Sequence, residues 1–460
     1  MAVTPYFILS PNVILSLVGL VRGPDKTVPT PAEDWREATV DVVIPALNEE
    51  KTIVLSLASV LKQTLRPKRV ILIDDGSTDR TLELATAFCE ENGVELIAIQ
   101  RKEPIGKTPT IKRQAREFDS DVEFILDADT VLESENYIER AVQELYQAVG
   151  IASACGTILP LRWRDRKAIS ESDLVKKFIE ARPEAGLESK RGLFARVRQG
   201  FTDTYRDVLY MFLQRFVYLG QMVFFGTISN PVGCAVAYRR QYVKDLFDTY
   251  EPILGDDLTN SEDIFIGFAM TNKGYRNIQL RDVCARSTEP EAQRLPRQIY
   301  LWSSSFFQSC YYFNDLLLSP FKSFKRWRHK RASAKNKEIQ EKRKIQEPYR
   351  QSFGVEYTKR YGRPIGWTLM MSAIEKVAFP SALLIMIGLG WWGPLLITLL
   401  LETLFALVIL LIVAKGERLA YLAKGVLITP IRYASLLSDL VTMCIFASHL
   451  WILRDRRWRK

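Results

Sequence analysis

The chain has 460 residues, of which 47% are apolar and 25% charged, enough for a catalytic domain plus a smaller region. Its six cysteines are scattered without a CxxC pair and it has only two histidines, which excludes a disulfide framework and a Cys/His zinc site and suits a reducing compartment. The formal net charge of +10 is concentrated in Phe321–Arg363, between polar and apolar sequence, where it points to anionic lipid rather than nucleic acid; no nucleic-acid-binding motif surrounds it.

The predicted elements follow in order. Residues 1–22 hold an apolar stretch, Tyr6–Val21, interrupted by Pro11. It is short of the ~20 residues a span needs and lacks the cleavage pattern of a signal peptide, so a partial membrane anchor is expected. Residues 23–37 read as a linker. From residue 38 to about 290 the pattern is that of an α/β domain. Val40–Ile44, Val70–Ile73, Leu96–Ile99 and Phe124–Leu126 are apolar strand candidates separated by helical stretches. Such alternation predicts a mostly parallel sheet with helices on both faces, whose ligands sit at the carboxyl ends of the strands. The acidic clusters fall at those ends. Thr202–Gly226 suits either an interfacial helix or a core helix. Residues 291–365 are expected at the membrane interface and carry the charged insertion Lys330–Tyr349. Residues 366–453 contain the apolar runs Val377–Trp392, Leu395–Val413 and Gly425–Leu453, ahead of a basic tail, 454–460. The first two runs predict an antiparallel pair of spans. Three full crossings would leave the tail on the far side from a cytoplasmic catalytic domain, so either the third run is partly inserted or another segment crosses.

Asp127-Ala128-Asp129 directly follows the apolar run Phe124–Leu126. Two carboxylates one residue apart at a strand end can converge on one divalent ion, and hard Mg²⁺ or Mn²⁺ prefers such ligands while leaving places for phosphate oxygens. Alone, this spacing is as often a polar turn. Asp74-Asp75 closes a second strand, with Gly76-Ser77-Thr78 as turn chemistry, and Gly106-Lys107 offers an ammonium in a loop. Asn260-Ser261-Glu262-Asp263 precedes an apolar helical run; Ser261 is a possible helix cap, and Asp263 a possible general base.

Together, "VVIPALNEE", "LIDDGSTD", "GK", "LDADT" and "SEDIFIGFAMTNKGY" resemble, in order, the inverting glycosyltransferase family 2, in particular its membrane-integrated synthases of cellulose, chitin, hyaluronan and exopolysaccharide. The resemblance covers about Val40–Trp302. It implies a GT-A-like nucleotide-sugar-binding fold and an inverting transfer, from a nucleotide-sugar donor (a UDP-sugar first) to a growing saccharide or a lipid-linked acceptor. It implies an integral protein of the plasma or inner membrane with its catalytic domain cytoplasmic and membrane lipid as a partner. By the same resemblance Pro45, Asn48, Glu49, Asp74 and Asp75 hold the nucleoside, Lys107 the nucleotide or phosphate, and Asp127 and Asp129 the diphosphate and metal. Asp263 is then the base, with Asp256 and Asp257 as rivals; Gly233, Glu262, Gln298 and Trp302 line the acceptor. One motif departs. Where the synthases carry Gln-x-x-Arg-Trp, this chain reads Gln298-Ile299-Tyr300-Leu301-Trp302. Leu301 replaces an arginine that meets the donor diphosphate in the family, and Arg294 and Arg297 are the nearby basic residues that could substitute. A catalytically silent assembly subunit is the competing expectation.

Overall fold

The computed structural model describes residues 10–23, 34–147, 150–182, 185, 193–255, 259, 261–334 and 354–452. The heart of the charged insertion, the basic tail and the Asp256/Asp257 pair lie outside the described residues.

Eight strands form one sheet: β1 (Val40–Ala46), β2 (Arg69–Asp74), β3 (Leu96–Gln100), β4 (Val122–Leu126), β5 (Thr130–Leu132), β6 (Ile151–Pro160), β7 (Ala235–Arg239) and β8 (Arg276–Ser287). Their spatial order is β3-β2-β1-β4-β7-β6-β8-β5. β1, β2, β3 and β4 are mutually parallel, as their alternation with helices requires. Beyond β4 the sheet is mixed: β7 is antiparallel to both β4 and β6, β6 is parallel to β8, and β5 caps the edge antiparallel to β8. The expected α/β fold is thus present, with an antiparallel half added to the parallel one.

Side chains alternate between the two faces, and both faces are covered. Val42, Ile44, Leu72, Phe124 and Leu126 enter one apolar core, while Val43, Ile71, Ile73 and Ile125 enter a second on the opposite face. Burial on both faces explains why these strands read as unbroken apolar runs rather than alternating ones. From β1 the chain order runs outward to β2 and β3 on one side and to β4 on the other. The crevice beyond the carboxyl ends of β1 and β4 is therefore a topological switch point, where α/β sheets bind ligands. Glu49 and Asp127 lie at its two lips.

The second half of the chain supplies long helices. Val197–Phe225, Gly366–Gly388, Trp392–Val413 and Arg418–Ile452 are each long and apolar enough to cross a membrane. The second and third form the expected hairpin. Its turn contains Gly390 at φ +66, and Trp391 and Trp392 are exposed there. The fourth begins at Arg418, ahead of the Gly425 expected from hydropathy. Large apolar side chains on these helices stay outward, among them Leu384, Ile387, Leu396, Leu400 and Val441, as lipid-facing surfaces require. Their inward charges are paired: Lys376 with Asp439 at 2.7 Å, and Arg432 with Glu402. This is a membrane protein.

Val197–Phe225 joins the two halves. Gln214 bonds the backbone of Ile158 on β6 in both directions, donating at 2.9 Å and accepting at 2.8 Å. The same helix packs against Arg418–Ala447 through Asp207, which accepts from Tyr421 at 2.9 Å and from Lys424 at 2.5 Å. One end of it enters the domain core and one flank packs on the Arg418–Ala447 helix. A short helix, Pro11–Arg22, within the stretch expected as a partial anchor, is laid on Val197–Phe225. Gly19 and Gly220 bring the two backbones together; a Cβ on Gly19 would stand 2.7 Å from the Gly220 Cα. Small residues at such a crossing are what allow helices to pack closely where no water drives them together.

Candidate active site

Lys107 is the hub. It opens the Lys107–Glu117 helix, just after Gly106 at φ +94, so it stands at a helix start rather than in the loop expected from sequence. Its ammonium meets Asp127 at 2.6 Å, Glu262 at 2.8 Å and the Gly233 carbonyl at 3.0 Å. Three acceptors use its three protons. Burial opposes its charge, yet the two carboxylates hold its pKa well above the ordinary lysine value. Residues far apart in sequence (β4, the loop before β7 and the Glu262–Lys273 helix) thereby meet at one cation. Of the expected acceptor residues, Glu262 and Gly233 are both tied to it directly.

Asp263 lies beside this group. Its Oδ1 accepts from the Ser261 hydroxyl at 2.5 Å and the Ile264 amide at 2.8 Å, and its Oδ2 from the Gly233 amide at 3.2 Å. Ser261 occupies the N-cap position without a side-chain cap bond; its hydroxyl orients Asp263 instead. Gly233 is required to be small, since a Cβ there would come within 2.9 Å of the Asp263 Cβ. Burial first, and the Glu262 charge second, push the Asp263 carboxyl up to about 6, against the bond from Ser261. A base must be ionised to work. Turnover dependent on Asp263 is therefore expected to be low below pH 6 and to rise to a plateau above it, read from kcat against pH; a flat profile from pH 5 to 8 contradicts this role.

Asp127 and Asp129 differ in surroundings. Burial raises the Asp127 pKa and Lys107 opposes the rise. Among the described residues Asp129 has no such counter-ion: burial, then Asp127, Glu49 and Glu289, raise its pKa well above the ordinary value, and its carboxylate receives only a 3.3 Å bond from Thr130. Among the described residues no three Asp, Glu, His or Cys side chains form a ready-made metal cage. Two carboxylates in a cluster of like charge are nevertheless the donor set that Mg²⁺ or Mn²⁺ takes when phosphate oxygens and water complete its shell.

The expected nucleoside residues form the other wall. Asp74 accepts from the Ser77 amide at 2.9 Å, closing the turn after β2. Asp75 is fully engaged: Arg101 and the Ile105 amide reach one oxygen at 2.8 and 3.0 Å, and the Gly106 amide the other at 2.7 Å. It thus shapes the loop that presents Lys107. Asn48 adopts φ +58, uncommon for a residue other than glycine, and is held by Ser77 and Thr78. Glu49 bonds Thr52 at 2.7 Å, and its pKa is raised by burial. Pro45 pairs with Ile73 within β1 and β2, beneath them.

Gln298 and Trp302 lie on the Leu295–Tyr312 helix, and both touch a residue the sequence did not single out. The Arg206 guanidinium lies over the Trp302 ring at 4.1 Å and donates to Gln298. Its Nε pairs with Glu289 at 3.1 Å. Burial pushes the Glu289 carboxyl up to about 7 even against Arg206. Arg294, just before this helix, and Arg297, on it, the expected substitutes, are both exposed. Arg206 and Glu289 were hidden because their partners are distant in sequence and neither sits in a recognisable motif.

Carboxylates thus converge at the switch point of a largely parallel sheet, with a cation bridging two of them. Residues 41–247 match the model of the family described as Glycosyl transferase family 2. Among similar proteins, an undecaprenyl-phosphate 4-deoxy-4-formamido-L-arabinose transferase of Serratia proteamaculans is 31% identical over 120 residues, 25% of this chain and 37% of that one. A poly-β-1,6-N-acetyl-D-glucosamine synthase of Staphylococcus aureus is 30% identical over 96 residues, 21% of this chain and 23% of that one. The chain thus matches well under half the length of either. A solved structure, the mannosyltransferase PcManGT of Pyrobaculum calidifontis in complex with GDP-Man and Mn²⁺, shares the fold over 97% of both chains, with a TM-score of 0.51 at 16% identity.

Proposed function

We propose that the protein transfers a sugar, with inversion, from a nucleotide-sugar (a UDP-sugar first) onto a growing polysaccharide at the cytoplasmic face of the plasma or inner membrane. The observation that carries this reading is the continuity between site and membrane. The Leu295–Tyr312 helix holds Gln298 and Trp302 at the site and packs along Arg418–Ala447, with Ser303 hydrogen-bonded to Asp439 of that membrane helix. An acceptor reaching Asp263 along this helix arrives from the bilayer.

The nucleoside fits the wall of Asn48, Glu49 and the β2 turn. The diphosphate faces Asp127 and Asp129, which would hold Mg²⁺ or Mn²⁺; that ion supplies positive charge to the departing nucleoside diphosphate. Asp263, oriented by Ser261 and Gly233, takes the proton of the acceptor hydroxyl as that oxygen attacks the anomeric carbon and the bond to the diphosphate breaks. One in-line displacement inverts the centre without a protein nucleophile. Lys107 fixes Asp127 and Glu262 around the reacting centre. The relative that acts on an undecaprenyl-phosphate substrate favours a second reading, single transfer to a lipid-linked acceptor.

The test is purified protein in lipid nanodiscs with labelled UDP- and GDP-sugars and Mn²⁺ or Mg²⁺. A ladder of long products is expected; a single added sugar supports the lipid-linked reading. No transfer from any donor rejects both.

A further inference from the structure

We propose that Arg206 is the residue that binds the donor diphosphate in this protein, presented from the Leu193–Phe212 helix instead of from the Gln-x-x-Leu-Trp segment. The inference rests on the reading above that a nucleoside diphosphate occupies the crevice.

The first observation is which cation has donors to spare. Lys107 has committed its three protons to Asp127, Glu262 and the Gly233 carbonyl. It organises the site and has none left for phosphate while those bonds stand. Arg206 has five N–H groups. Nη2 donates to Gln298 and Nε pairs with Glu289, but Nη1 has no hydrogen-bond partner among the described residues, although the side chain is 0% exposed. Leaving charged donors buried and unmet is costly, and an anion entering the site would meet them.

The second observation is where those donors lie. Glu289 directly follows Thr288, whose amide and hydroxyl donate to the Asp129 carbonyl at 3.1 and 3.2 Å. The Glu289 charge is felt at Asp129. Arg206, paired with Glu289, is therefore joined through Thr288 to the backbone of Asp129. A planar guanidinium suits two phosphate oxygens at once.

The third observation is the stacking. Trp302 lies beneath the guanidinium and Gln298 grips its edge, so the plane is fixed before any ligand arrives. Leu301 lies three residues from Gln298, on the same stretch of helix surface. An arginine there would share the helix face that carries Gln298. Arg294 and Arg297 are exposed and make no comparable arrangement among the described residues.

The test compares the full-length wild type with R206Q, R206K, D129N and the double variant R206Q/L301R, all in nanodiscs with Mn²⁺. Binding of UDP and GDP is measured beside binding of uridine and guanosine, and transfer from the active donor is measured in parallel. For R206Q, diphosphate affinity is expected to fall about 10–100-fold, the loss of a charge-assisted bond, with nucleoside affinity unchanged. Turnover should fall by ~10²–10³, as on removing one donor to a developing anion. R206K should lie between, and L301R should restore much of the loss by returning a guanidinium from the neighbouring helix. R294A/R297A should behave as wild type. The inference is overturned if R206Q keeps its diphosphate affinity and turnover, or if diphosphate and nucleoside affinities fall together, which marks a purely structural arginine. Should R206Q fail to fold, the ratio of UDP to uridine affinity in R206K decides by the same criterion. D129N separates the two claims: transfer lost in D129N but intact in R206Q removes only the arginine, whereas transfer intact in both removes the proposed site.

Discussion

Replacing Asp263 by Asn is expected to lower turnover by ~10²–10⁴, the usual worth of general-base help, while donor affinity stays near that of the wild type. The separation follows from geometry. Asparagine keeps the size of aspartate, and its amide oxygen can still accept from Ser261 and the Ile264 amide, so the start of the Glu262–Lys273 helix should remain in place. What it loses is the ability to take a proton. The donor-facing groups, Asp127, Asp129 and Asn48, lie on other elements and keep their partners. In D263N the pH dependence near 6 should also disappear, because the ionisation that produced it is gone. Asp256 and Asp257 are the competitors, so D257N is measured beside D263N by single-turnover kinetics with a labelled donor. A dead D257N beside a normal D263N transfers the role of base to the Gly255-Asp256-Asp257 segment.

Much of this site is readable from the chain before it folds. Asp74-Asp75 and Asp127-Asp129 each end an apolar strand, and parallel strands deliver their ends to one side of the sheet, so their convergence follows from local pattern. The extended β1–β4 half was legible for the same reason: both faces are buried, and the runs are short, apolar and bounded by turns. The antiparallel half was not. β7 pairs with β4 across more than a hundred residues, a choice made by packing rather than by any local signal. Lys107 shows the limit from the other side. Its motif announced a cation, but only the fold shows that Asp127, Glu262 and Gly233 consume all of its protons. Arg206 is the extreme case. It sits in a stretch of alternating charged and aromatic residues that reads as an amphipathic helix, and its partners Glu289, Gln298 and Trp302 are on later segments. Nothing in that stretch distinguishes it from the exposed Arg198, about two turns away. The helix boundaries in the membrane were missed by several residues because polar positions such as Lys376 and Lys424 are paired inside the bundle, so hydropathy undercounts the length of their helices.

Asp129→Asn is expected to abolish transfer, and chelation of the wild type by EDTA to do the same reversibly. The cause lies in the charge distribution. Lys107 offsets Asp127, but Asp129 stands among Glu49, Asp127 and Glu289 with burial adding to their repulsion. A fold that retains such a residue keeps a place for positive charge, and a divalent ion shared with the diphosphate neutralises both partners at once. Asparagine relieves the repulsion, so D129N should fold at least as well as the wild type: its melting temperature in the absence of metal should be unchanged or raised. With Mn²⁺ the wild type should gain thermal stability in the presence of UDP, as a bound ligand stabilises the native state, and D129N should lose most of that gain. This pairing distinguishes a metal ligand from a structural carboxylate, whose loss would lower stability under both conditions. Full transfer by the wild type in EDTA, or an equal Mn²⁺-dependent shift in D129N, would remove the metal from Asp129.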